Sequence, residues 1–135
     1  MSSKTKLTKK ISKTDTISNL FSGYQELLRQ NKGLEAIDLY YHNNIYHYEN
    51  HNEPLIGKTL LRAKEEAVIQ SMNSYSVSIG DVVIDEDQQL VWGRMKFVFD
   101  STELGKKILD EAFMQKWHNG LIKELRFFYA SIQNQ

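Results

Sequence analysis

The spacing of apolar side chains changes once along this chain. Up to residue 72 they mostly recur at steps of three and four, which is the spacing of one helical face. This pattern predicts three helices, in residues 14–33, in residues 34–41 and in residues 57–72. The β-branched and aromatic run "NIYHYEN" predicts a short strand between the second and third helices.

From residue 74 onward the apolar period is two, which predicts four long strands joined by hairpins. Asn119-Gly120 suits a type I′ turn between the last two strands, because both central residues of that turn need positive φ. Helices that are segregated from an antiparallel sheet define the α+β class. We therefore predict three helices packed on a curved antiparallel sheet, forming a cone with a pocket between sheet and helices.

Composition and charge narrow the possible partners. The 135 residues are 41% hydrophobic and 25% charged, as in a single soluble domain, and no cysteine is present for disulfides or thiolate metal sites. Residues 1–13 hold five lysines and no acid, so we predict a disordered basic tail followed by one α+β domain at 14–135. That domain has 12 basic and 17 acidic residues. We expect a cytoplasmic protein that binds neither nucleic acid nor membrane.

The stretch "HYENH" is the densest group of titratable side chains. His47, Glu49 and His51 alternate, so they project from one face of a strand. At ~3.3 Å per residue the two histidines stand about 13 Å apart, too far to share one ion whose ligands lie at ~2 Å. We therefore predict no metal and no cofactor. The acid–base alternative makes Glu49 a general base beside His47, while His51 meets water at the strand end.

Three longer stretches resemble the nuclear transport factor two-like superfamily, and within it the SnoaL-like polyketide cyclase and ketosteroid isomerase-like branches. "GYQELLRQNKGLEAIDLYYHNNIYHYEN" resembles the first two helices and first strand of that family, "GKTLLRAKEE" its glycine-led third helix, and "WHNGLIKELRFFY" its final hairpin. The resemblance covers residues 15–133 and implies a conical α+β fold, often dimeric, with an internal pocket. It implies no single function, because this fold serves enzymes, ligand binders and adaptors.

The resemblance also implies roles for individual residues. The oxyanion-donating tyrosine of the isomerase branch falls on Tyr24, and its carboxylate base falls on Glu49, where the family usually has aspartate. Its protonated aspartate falls on Ala112, which cannot donate a hydrogen bond, while the neighbouring Glu111 is expected to point to the opposite face. By the same analogy, the pocket is expected to be lined by Ala112, Met114, Leu125, Phe127 and Tyr129.

These patterns predict a small-molecule pocket protein with Glu49, Tyr24 and His47 as candidate catalytic residues. As an enzyme it would transfer a proton on a small apolar carbonyl compound, with Glu49 as base, Tyr24 stabilising the oxyanion and His47 orienting or tuning. The alternative is a non-catalytic ligand-binding domain or a dimeric adaptor. Strand alternation predicts that Ile122 and Phe128 face away from the pocket and help to form a homodimer.

Arg94 raises a further possibility. An arginine flanked by carboxylates would indicate the epoxide hydrolase branch of the same superfamily. The sequence pattern does not place two aspartates beside Arg94, and we expect it to lie on a solvated or subunit-facing surface together with Lys96.

Overall fold

The computed structural model describes residues 15–135, so the predicted basic tail at 1–13 lies outside the described part. Three helices precede or interrupt the sheet: α1 (Ile17–Arg29), α2 (Gly33–Tyr40) and α3 (Lys58–Gln70). The strands are β1 (Tyr41–Glu49), β2 (Leu55–Ile56), β3 (Met72–Asp85), β4 (Leu90–Ser101), β5 (Gly105–His118), β6 (Leu121–Phe128) and β7 (Gln133–Asn134). None of the helices in residues 15–135 is long and apolar enough to cross a membrane.

The strands form one curved, open sheet in the order β2-β1-β6-β5-β4-β3, with β7 paired to β5. The four long strands β3 to β6 are antiparallel, as their alternating pattern predicted. The sheet as a whole is mixed, because β1 runs parallel to β6. A parallel pair needs a long connection, and the whole region from α3 to β5 lies between these two strands. The α+β class with three helices on a curved sheet is confirmed.

The N-terminus of α1 is hydrogen-bonded to the turn between β3 and β4. The Oγ1 atom of Thr16 accepts a hydrogen bond from the backbone N–H of Asn19 at 3.1 Å, which caps α1. The carboxylate of Glu86, in the β3–β4 turn, accepts from the backbone N–H groups of Ile17 and Ser18 at 2.8 and 2.9 Å. These bonds hold the pKa of Glu86 below its ordinary value and satisfy donors that a helix start leaves free.

The core fills one end of the cone with aromatic side chains. Phe21 of α1 stacks on Phe113 of β5, with ring centroids 6.1 Å apart. Tyr24, Tyr40 and Trp117 meet one another edge to face at 5.9–6.5 Å. Because these rings close only one end, the space between the helices and the other end of the sheet stays open as a cavity.

The position of Ile122 differs from the prediction. Its side chain is completely buried in the core instead of facing away from it. The register of the final hairpin shifts, because Lys116 pairs with Glu124 whereas Trp117 pairs with Ile122. Such a bulge adds one residue to β6 and inverts the alternation of side chains. Asn119 and Gly120 both have positive φ, as the predicted turn requires.

Candidate functional site

A cavity of about 280 Å³ lies between the concave face of the sheet and the three helices. Most of its lining is aliphatic or aromatic, including side chains from every helix and from β3, β4 and β5. Its size is near the lower end of the ~300–1,000 Å³ that is usual for small-molecule sites. The cavity therefore suits a compact, largely apolar ligand. Representative apolar lining residues are Leu28, Ile37, Leu61, Val77, Phe97 and Leu109.

Glu49 is the best-connected polar group of the cavity. Its Oε1 accepts a hydrogen bond from the hydroxyl of Tyr129 at 2.7 Å. Its Oε2 lies 3.8 Å from Nε2 of His47 and 3.9 Å from Nζ of Lys64. The side chain of Glu49 keeps 34% of its surface exposed, so the carboxylate lies at the mouth of the cavity.

A local turn after β1 positions this cluster. Asn50 has φ of 54°, and its backbone N–H donates to the carbonyl of Phe127 at 2.8 Å. Its side-chain Oδ1 accepts from the backbone N–H of Tyr129 at 2.9 Å. Asparagine tolerates the left-handed conformation better than other residues with a Cβ. Asn50 therefore joins the end of β1 to the end of β6, which brings Tyr129 to Glu49.

His47 is the uncharged member of the cluster. Burial lowers its pKa, and this effect exceeds the opposing attraction of Glu49, so the ring is neutral at pH 7. Its Nδ1 atom is buried and has no hydrogen-bond partner among the described residues. The ring also meets Phe127 edge to face at 5.4 Å. His47 therefore offers a hydrogen-bonding imidazole, not a positive charge.

Glu111 is the second carboxyl of this part of the cavity. Burial, with smaller contributions from the charges of Glu49 and Asp110, raises the pKa of Glu111 to about 8. The side chain is therefore mostly protonated at neutral pH and can donate a hydrogen bond. Burial also raises the pKa of Tyr24, which lines the cavity nearby and keeps its proton.

The structure brings together only some of the predicted site residues. Tyr24, His47, Glu49 and Phe127 line the cavity, and Tyr129 joins it through its bond to Glu49.

On β5 the side chains that point inward belong to the residues next to the predicted ones. Ala112 is exposed on the convex face, and Met114 lies on that same face, whereas Glu111 and Phe113 point inward. Leu125 is buried in the core and does not reach the cavity. Both faces of β5 carry a mixture of apolar and polar residues, so the period of two could not decide which face was inside.

Sequence reasoning missed Glu65, Lys64 and Tyr41, which also line the cavity. A signal for Glu65 was present, because it lies four residues after Leu61 and three before Val68, on one face of α3. Nothing in the local pattern separated Tyr41 from an ordinary core tyrosine.

Arg94 has the two neighbouring aspartates that the sequence did not place. Its guanidinium donates to Asp110 at 3.0 Å and lies 3.7 Å from Asp81. The trio is on the convex face of the sheet, and the arginine side chain is 60% exposed. It shares no wall with the cavity, so it is a solvated ion cluster outside the site.

The remaining histidines stay apart from the cavity. His51 and His118 are exposed, and His42 bonds through Nδ1 to the backbone N–H of Asn44. Among residues 15–135, no group of three or more His, Asp or Glu side chains is arranged to hold a metal ion.

A cone of helices and curved sheet that encloses an apolar cavity with a few polar groups is the architecture of a small-molecule-binding α+β fold. No protein-family model and no curated protein matches the sequence. Solved structures do match. A protein from Mesorhizobium loti, described as a SnoaL-like polyketide cyclase, is 27% identical, with 85% of this chain and 100% of that chain covered and a TM-score of 0.72.

Two more distant structures show the same fold. An LEH-like epoxide hydrolase from M. tuberculosis is 11% identical, with 84% of this chain and 78% of that chain covered and a TM-score of 0.68. SalBIII, an epoxide hydrolase/cyclase-like enzyme of pyran ring formation in salinomycin, is 10% identical, with 88% and 95% covered and a TM-score of 0.70. The chain thus has the nuclear transport factor two-like fold in its SnoaL-like form.

Proposed function

We propose that this protein transfers a proton on a small, mostly apolar carbonyl compound, with Glu49 as the general base. The observation that supports this most directly is the pair Glu49 and Glu111. Both line one cavity, but Glu49 lies at the mouth beside Lys64 and Tyr129, whereas Glu111 is buried and holds its proton near neutral pH. Two carboxyls in different environments can divide the acid and base roles between them.

The proposed step begins when a carboxylate oxygen of Glu49 removes a proton from the carbon next to the substrate carbonyl. The electron pair of the broken C–H bond moves to the carbonyl oxygen and forms an enolate. Neutral Tyr24 and neutral Glu111 donate hydrogen bonds to that oxygen, and such donors typically contribute ~10²–10³ in rate each. Glu49 then returns the proton to the same carbon or to a neighbouring position.

Neutral His47 has an orienting role in this proposal. Its Nε2 is 3.8 Å from Glu49, longer than a hydrogen bond, so it can come into contact when a ligand shifts the carboxylate. The unpartnered Nδ1 is a second polar atom near the cavity. The apolar remainder of the lining binds the hydrocarbon part of the substrate and keeps water away from the enolate.

The test is proton exchange at the carbon beside a carbonyl. Small cyclic ketones are incubated with the protein in deuterium oxide, and loss of the α-proton signal is followed by NMR. We expect Glu49→Gln to reduce the protein-dependent rate by ~10²–10⁴, because glutamine keeps the volume and loses the basic oxygen.

Glu53→Gln is the matched control, since Glu53 is exposed in the loop after β1 and outside the cavity. Exchange that is equally fast with Glu49→Gln contradicts the role of Glu49. A wild-type protein that binds the ketones without exchanging their protons is a non-catalytic ligand-binding domain instead.

We also propose that the protein is a homodimer formed by the convex face of the sheet. Trp92 stacks on Phe128 at 6.5 Å with nearly parallel rings, and Trp92 is 47% exposed. Light scattering at micromolar concentration tests this. Trp92→Lys should give a monomer, whereas Leu60→Lys, at an equally exposed site on α3, should not.

A further inference from the structure

Glu65 is a cavity carboxyl that the proposed reaction does not use. It projects from α3 into the cavity. Its Oε2 lies close to Gly33 at the start of α2, 3.2 Å from the position that a Cβ on this glycine would occupy. Its side chain is partly buried. Burial raises the pKa of Glu65, with only Lys64 acting in the opposite direction.

No hydrogen bond from the described residues acts on this carboxyl. Lys64, the one cation among residues 15–135 that affects its pKa, has its ammonium 3.9 Å from Glu49 and half exposed at the mouth. His47, which also lines the cavity, is neutral because burial lowers its pKa. A partly buried carboxylate without a cationic partner is unfavourable, and a ligand that brings a cation removes that cost.

The surroundings of Glu65 are aromatic. Burial is the largest cause that raises the pKa of Tyr24, Tyr41 and Tyr75, and the charge of Glu65 is a smaller cause for each of them. All three tyrosines line the cavity. Phe97 lies on the same wall of the sheet. Aromatic rings that line the same cavity as a carboxylate can add a ring-quadrupole attraction for an organic cation to the attraction of the charge.

Two of the three carboxyl groups of the lining, Glu49 and Glu65, affect different neighbours. The charge of Glu49 acts on His47, Glu111 and Tyr129, whereas that of Glu65 acts on Tyr24, Tyr41 and Tyr75. Tyr24 lines the same cavity, and the charges of both Glu65 and Glu111 raise its pKa.

We propose that Glu65 and the tyrosines around it bind a protonated amine, so that the ligand of this cavity is a compact apolar amine. This inference deepens the proposed function and rests on it, because both take the cavity as the ligand site. The substrate would carry the amine at the Glu65 end and the carbonyl at the Glu49 end. An anionic ligand is disfavoured, since the lining has Glu49 and Glu65 beside the mostly neutral Glu111, against one lysine. A neutral ligand would leave Glu65 without a counter-charge.

Three probes of matched size test the proposal: phenethylamine, 2-phenylethanol and phenylacetate. Binding to the full-length protein at pH 7 is measured by calorimetry and by NMR shifts of the cavity residues. We expect the amine to bind about tenfold or more tightly than the alcohol, and phenylacetate to bind least. Glu65→Gln should remove the preference for the amine and leave alcohol binding nearly unchanged.

Glu66→Gln is the control, because it removes the same charge from the next residue of α3 on the exposed side. The preference for the amine should survive it. Alcohol binding as tight as amine binding, a preference that survives Glu65→Gln, or no amine binding at millimolar concentration overturns the proposal. These experiments measure binding constants. Whether Glu49→Gln loses or keeps ketone exchange is a separate result, which concerns the proposed reaction alone.

Discussion

The two faces of β5 carry acidic side chains with opposite properties. Asp110 lies on the convex face, where its carboxylate accepts a hydrogen bond from Arg94 at 3.0 Å and is 39% exposed. The next residue, Glu111, points into the cone and is 8% exposed, and burial raises its pKa to about 8. One step along a strand therefore separates an ordinary surface ion pair from a neutral, hydrogen-bond-donating acid.

The difference shows that side-chain direction, not residue type, determines the chemistry of these carboxyls. Water and the exposed guanidinium of Arg94 stabilise the charge of Asp110, whereas Glu111 would have to ionise without full hydration. The same contrast distinguishes the exposed trio of Arg94, Asp81 and Asp110 from the cavity group of Glu49 and Glu111. In the cavity group, burial raises the pKa of Glu111 to about 8, so this carboxyl mostly holds its proton at neutral pH.

The largest effect is expected from the inner face of β5. Phe113→Ala removes a completely buried ring that packs on Phe21, so the free energy of unfolding should fall by ~3–5 kcal/mol. Lys116→Ala, at an exposed outer position of the same strand, should change it by no more than ~0.5 kcal/mol. Urea unfolding measures both. Similar losses at the two sites would contradict the assignment of Phe113 to the inner face and Lys116 to the outer face.

Glu111→Gln is expected to stabilise the protein at alkaline pH. The pKa of Glu111 is raised from 4.5 to about 8 in the folded state, so its neutral form favours folding below about pH 4.5. That contribution is lost as pH rises through 8, and at ~1.4 kcal/mol per pKa unit the loss is up to about 5 kcal/mol.

Unfolding of wild type and Glu111→Gln between pH 4 and pH 9 measures this difference. The two proteins should diverge as pH rises, with the variant more stable above pH 8. Asp110→Asn, on the outer face, should give no such gain, and a parallel pH dependence of Glu111→Gln and wild type would contradict a buried, proton-holding Glu111.

Tyr129→Phe is expected to have a smaller effect on stability and a clear effect on the site. It removes the hydroxyl that donates to Glu49 at 2.7 Å, a partly buried bond that should contribute about 1 kcal/mol. In the ketone-exchange assay the rate should fall, because the hydroxyl no longer holds the Glu49 carboxylate in position. An unchanged rate would mean that Tyr129 has only a structural role.

Arg94→Gln should change stability least. The guanidinium is 60% exposed. An exposed ion pair typically contributes about 0–1 kcal/mol to the free energy of unfolding at low salt. Chemical unfolding at low and at high salt measures the contribution, and a loss above about 2 kcal/mol would show that the trio is more than a solvated cluster. Ketone exchange should be unaffected, since Arg94 is outside the cavity.

The sequence by itself determined the class of the fold and the residues of β1 that reach the cavity. Three helical faces followed by four alternating strands predicted α+β architecture, because helix and strand periods differ whatever the neighbours are. Alternation put His47 and Glu49 on one face of β1, and the family resemblance implied that this face is the inner one; both side chains line the cavity.

The tertiary structure decided what local patterns could not. A bulge in β6 turned Ile122 inward, and the choice of inner face on β5 brought in Glu111 in place of Ala112. The parallel pairing of β1 with β6 brought Glu49 and Phe127 together, although 78 residues of chain separate them along the sequence. Periodicity fixes which residues share a face, but only packing against the helices decides which face becomes the dry one, and burial then sets the pKa of each carboxyl.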